Sequence, residues 1–145
     1  MSATAAQIAQ LRRMVNEPLT TTYSDATLTT YIETYPMIDA RGEHPFTWNL
    51  TAVPPAKLDN PEWIDTYDLC AAAANVWEEK AAAVVGSFDF TADGASYSRS
   101  QVYEQYMKMA RSSASRRSPR TITMRPWPEE VNEDLTYVNI ESQGS

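Results

Sequence analysis

Ile8, Leu11, Met14 and Val15 recur at three- and four-residue spacing, the signature of one buried helical face. The pattern predicts a helix over about residues 3 to 16, ended by Pro18. Ser24 and Asp25 are good N-cap residues, and Leu28, Tyr31, Ile32 and Tyr35 then keep helical spacing until Pro36, which predicts a short second helix. From Met37 to Asn60 the periodicity dissolves into a proline-rich stretch with two exposed-looking aromatics, Phe46 and Trp48. A loop of that length points to a functional or partner-facing segment.

Asn60 as cap, Pro61 at the first helical position and Glu62 at the positive end of the dipole predict a third helix running unbroken over 61–85. Its alanine runs carry high propensity, and Gly86 supplies a left-handed stop. At 1.5 Å per residue it would be roughly 37 Å long, more than a small domain needs for its own core. Phe88 and Phe90 around Asp89, before Asp93-Gly94, read as a short extended piece. Ser98 with Gln101 has the form of a capping box opening a last helix over about 99 to 113, with Val102, Tyr106 and Met109 inward. The fold class predicted is therefore all-α: a small bundle around one long central helix, divided into a helical domain over 1–111 and an extended C-terminal arm over 112–145. Trp77, Leu69, Val76, Ile32, Leu28, Leu11, Val102 and Tyr106 form the expected core.

Length and composition fit one domain: 145 residues, 43% hydrophobic, with a single cysteine that excludes an internal disulfide. No apolar run approaches a membrane span and the N-terminal stretch is amphipathic, so the chain reads as soluble and made in a cytosol-like compartment. Net charge is −7, which argues against nonspecific DNA binding by the chain as a whole. Lys108, Arg111, Arg116, Arg117, Arg120 and Arg125 form a strip free of acids, and only acids follow it. A basic strip on an acidic body suits contacts with other chains or with copies of itself.

Catalytic signatures are missing: there is no GxGxxG, P-loop, HExxH, GxSxG or CxxC. His44, between Glu43 and Pro45, reads as a solvated loop imidazole, and Cys70 as a small buried hydrophobe. Adjacent Glu78 and Glu79 point about 100° apart on a helix and cannot share a substrate proton. The run Asp89-x-Thr91-x-Asp93-Gly94 imitates half a calcium loop, but Ser100 stands where a bidentate Glu is required. No enzyme activity, cofactor or metal is expected.

Taken in order, YDLCAAAANVWEEKAAAVVGSFDFTADGASYSRSQVYEQYMKMA over 67–110, YSDATLTTYIETYP upstream and Asp39-Ala40-Arg41-Gly42 resemble the head-tail connector, or adaptor, proteins of long-tailed bacteriophages. The resemblance covers about two thirds of the chain and nothing after Ser115. It implies a structural protein of the virion neck, made in the bacterial host cytoplasm. Such a protein forms a dodecamer-like ring of copies of itself below the portal protein. The ring would meet a downstream neck or tail protein and let packaged DNA pass without specific binding. The alternatives are a tail-completion protein of the same virion and a small helical nucleic-acid-binding protein using the 108–125 strip.

The arm has too little apolar surface to fold alone, and terminal segments are ordered only when something ties them down. Leu135, Tyr137 and Asn139 alternate with Thr136, Val138 and Ile140 at high β-propensity, which predicts strand addition to a partner's sheet edge. Arg116, Arg117, Arg120 and Arg125 are expected to pair with acidic groups on portal or a neighbouring subunit. Trp127, between two prolines, is expected to fill a pocket as the aromatic anchor.

Overall fold

Thr4 opens the first helix, α1 (Ala5–Met14), with a reciprocal capping box: its hydroxyl accepts from Gln7 N, and the Gln7 side chain accepts from Thr4 N at 2.8 Å. Ser24 caps α2 (Asp25–Glu33) by accepting from Thr27 N at 3.1 Å. The remaining elements of this computed structural model, which describes residues 2–85 and 99–119, are β1 (Phe46–Asn49), β2 (Ala56–Asp59), α3 (Leu69–Val85) and α4 (Arg99–Ser115). The expected Gly86 stop, the extended piece over 88–97, the half calcium loop from Asp89 and the Ser98 cap lie outside the described residues.

The turn between α1 and α2 is held by two cations. Arg12 pairs with Asp25 at 2.6 Å and also donates to the carbonyls of Glu17, Leu19 and Tyr23, satisfying oxygens that a bent connection leaves open. Lys80 reaches over from α3, its ammonium 2.6 Å from both the Val15 carbonyl and the Glu17 carboxylate. Leu11, Val15, Leu28, Ile32 and Val76 are fully inaccessible where α1, α2 and α3 converge. Each such side chain contributes about 1.5–3 kcal/mol of burial.

The third helix is shorter than expected. Residues 61–68 are not helical: Asn60 turns the chain for one step, its side-chain oxygen accepting from Glu62 N. The backbone then pairs with the segment after α2, through Met37 N to Thr66 O, Asp68 N to Tyr35 O and a bridge between Pro36 and Tyr67. This extended path drives Trp63 and Tyr67 into the core, edge to face at 5.5 Å, an arrangement that outweighs the local helix signal. The actual cap is Asp68, which accepts from Ala71 N at 3.0 Å. At 17 residues, about 25 Å, α3 is no longer than α4, so the described residues show no long central helix.

Nor is the fold purely all-α. The stretch expected to be irregular carries an antiparallel ribbon, with Phe46 opposite Asp59 and Asn49 opposite Ala56, so the chain is mostly helical with one two-stranded sheet. Among the expected core residues, Leu11, Leu28, Ile32, Val76 and Trp77 are buried, while Leu69 and Tyr106 pack half-buried against them. Val102 is also half-buried, and Met109 is exposed rather than inward. The reason is that, among the described elements, α4 packs only on α3, with Ala110 and Tyr106 against the core, so a narrow stripe of it is covered. It runs to Ser115, so the arm boundary expected at 112 falls inside its last turn.

Candidate functional site

The ribbon's base is built by one buried carboxylate. Asp39, 5% exposed, accepts from Arg41 N at 2.8 Å and Glu43 N at 2.9 Å through one oxygen. The other oxygen takes Ile64 N at 3.1 Å and the Arg41 guanidinium at 3.2 Å. Burial raises its pKa, but these donors outweigh burial and hold it at about 2, below the ordinary 3.8. Gly42 adopts φ +86° at the turn this cluster needs. The sequence flagged Asp39 and Arg41 only through their resemblance to a family pattern. The partner that explains them, Ile64, is 25 positions away.

Asn60 closes the other side, donating from its side chain to His44 O at 2.8 Å and from its backbone to Pro45 O at 3.1 Å. Trp63 Nε1 donates to Met37 O at 2.8 Å, locking the two returning segments together. Beyond this clamp, no helix among the described residues brings its backbone close to β1 or β2. The Lys57 ammonium lies 3.5 Å over the Phe46 ring centroid, and Phe46 and Trp48 are half-buried. Leu50, Val53 and Leu58 are 66%, 97% and 49% exposed, an apolar projection with no cover among the described residues. Sequence reading missed the ribbon. Phe46-x-Trp48 and Ala56-x-Leu58 do alternate, but two strands of four residues around Pro54-Pro55 are weak local signals.

The arm's exit is fixed just beyond the end of α4. Ser118 N donates to Asp68 Oδ2 at 2.8 Å, so Asp68 caps α3 and tethers the outgoing chain at once. Arg117 lies 5.5 Å over the Tyr35 ring, and Arg116 donates to Ser112 Oγ at 3.1 Å. Both arginines are exposed, as are Lys108 and Arg111, and none of the four forms an ion pair among the described residues. Arg120, Arg125, Trp127, Leu135, Tyr137, Val138 and Ile140 lie outside the described residues, so only Arg116 and Arg117 of the expected partner-binding set are placed.

Beside the tether, the Tyr67 hydroxyl is buried with no hydrogen-bond partner among the described residues. Burial first, then the negative charges of Asp65, Glu33 and Asp59, push its pKa up to about 12. Trp77 Nε1 is likewise buried and unpartnered. Cys70 is half-buried rather than enclosed, His44 is half-exposed in the loop, and Glu78 and Glu79 face outward as expected. Among the described residues no group of three metal-ligating side chains gathers, and no helix is long and apolar enough to cross a membrane. No family model, curated protein or solved structure matches the chain.

Proposed function

We infer that this chain is a structural head-tail connector of a tailed-phage virion: a ring-forming adaptor between the portal protein and a downstream neck or tail protein, through which DNA passes without specific binding. The observation that carries the reading is the ribbon, an apolar projection hydrogen-bonded at its base and set apart from every helix among the described residues. A lone domain gains nothing from such an element, because an isolated two-stranded hairpin is marginal in water unless it packs on something. The resemblance over 67–110 supplies the family, and the basic strip followed by an acidic end supplies complementary surfaces for neighbours. In this role the protein is a joint without a reaction to catalyse, and it belongs in the virion neck.

Arg116, Arg117, Arg120 and Arg125 would pair with acids on portal or the adjacent subunit, Trp127 would fill a pocket, and Leu135, Tyr137, Val138 and Ile140 would pair along a sheet edge. The test is imaging of the full chain mixed with portal protein, beside a version truncated after Pro119, which keeps the Ser118–Asp68 tether. The full chain is expected to close a ring on portal, and the truncated one to keep its helical circular dichroism but lose portal binding. A two-fold dimer or a single copy at the vertex would refute the ring. A second reading, nucleic-acid binding, draws on the unpaired exposure of Lys108, Arg111 and Arg116. It requires DNA affinity that falls steeply with salt, which a connector would not show.

A further inference from the structure

We propose that the free edge of β2 is the docking site for residues 135–140 of a second copy of this chain, which add as a third strand. This rests on the ring reading above and names the contact that links one subunit to the next. Among the described residues the ribbon has no third strand, so both outer edges present unpaired backbone groups. The more open edge is β2, where Lys57, Leu58 and Asp59 are all exposed, whereas β1 is mostly half-buried. Pro54 and Pro55 lack N–H groups, which limits the pairing window to Ala56–Asp59.

The segment 135–140 is long enough to span that window. Thr136, Tyr137, Val138 and Ile140 have high β-propensity, and an added strand would lay apolar side chains beside the exposed Leu58. Glu133, Asp134 and Glu141 flank the segment, and Lys57, the one cation on the ribbon, stands in the window with Asp59 at its far end. Opposite charges set across neighbouring strands favour the pairing.

The ring reading selects a second copy, and the length of the arm permits it. The described chain ends at Pro119, next to the tether at Asp68, and 15 residues separate it from Leu135. Extended, they reach up to about 50 Å, whereas a domain of this size is roughly 35 Å across. The arm can thus clear its own body, and arm on ribbon is a heterologous contact that repeats from copy to copy and closes a ring.

The experiment follows hydrogen–deuterium exchange over 56–59 together with mass by light scattering, on the full chain in dilute and concentrated solution. Expected are oligomers on concentration, with exchange over 56–59 slowed about tenfold or more. Val138→Pro in the arm and Lys57→Glu on the ribbon should each abolish both effects without changing the helical signal. Mixing the two variants should restore a dimer and nothing longer, since each supplies the half that the other lacks. Slowed exchange at every concentration in a monomer, removed by Val138→Pro, would mean that the arm closes on its own ribbon, and the inference falls. Protection that survives Val138→Pro, or exchange that stays fast throughout, also overturns it. Ring formation on portal is read separately by imaging, so the ring reading can stand when this contact fails.

Discussion

Trp77 gives the most direct test of the core. The ring is 6% exposed, packs on Tyr106 at 5.6 Å between centroids and lies under the Lys80 ammonium at 4.5 Å. Trp77→Ala removes that burial and leaves a cavity where α3 meets α4, a cost of about 3–5 kcal/mol. The pair with Tyr106 and the cation contact are part of that figure rather than additions to it, because the same truncation removes them. Trp77→Phe behaves differently. It keeps an aromatic ring and removes an N–H that is buried without a partner among the described residues, and relief of that desolvation, about 1–3 kcal/mol, offsets most of the lost volume. The phenylalanine variant is therefore expected within about 1 kcal/mol of the parent. Urea titration read by circular dichroism measures both, with the slope checked for constancy so that midpoints convert to stability. A loss below about 1 kcal/mol for Trp77→Ala would show that the ring does not support the core. A loss for Trp77→Phe as large as for alanine would refute the account of the unpartnered N–H.

Two further expectations concern the carboxylates that shape the site. Asp39 has a folded pKa of about 2 against an ordinary 3.8, so its contribution is complete above the unfolded value and is lost as pH falls from there through about 2. Asp39→Asn, which keeps only one of the two acceptor oxygens that serve these four donors, should lower the thermal midpoint at neutral pH. It should also flatten the acid limb of the stability profile, and an unchanged limb would refute the assignment. Asp68→Ala removes the α3 cap at a cost of about 0.5–2 kcal/mol and frees Ser118. Limited proteolysis should then cut after Arg116 or Arg117 faster than in the parent, and equal cutting rates would mean that the tether does not hold the arm.

The first two helices were legible in the sequence because their determinants are local. Thr4 with Gln7 and Ser24 with Thr27 lie within one turn, the apolar spacing of Leu11, Leu28 and Ile32 is periodic, and Pro18 and Pro36 follow close behind. The same local logic failed at residues 61–68, where Asn60-Pro61-Glu62 imitates a helix start. Burying Trp63 and Tyr67 and pairing with the backbone of 35–37 together outweigh a few tenths of a kcal/mol per residue of helix propensity. The ribbon was hidden for a related reason: four-residue strands carry little periodicity, and what holds them is Asp39 gripping Ile64 and Asn60 gripping His44 and Pro45. Composition and residue order determined a mostly helical domain with a basic strip and an acidic end. Which carboxylate is buried, where α3 begins and which edge of a two-stranded sheet is left open were decided only by contacts between distant segments, whose energies no local window contains.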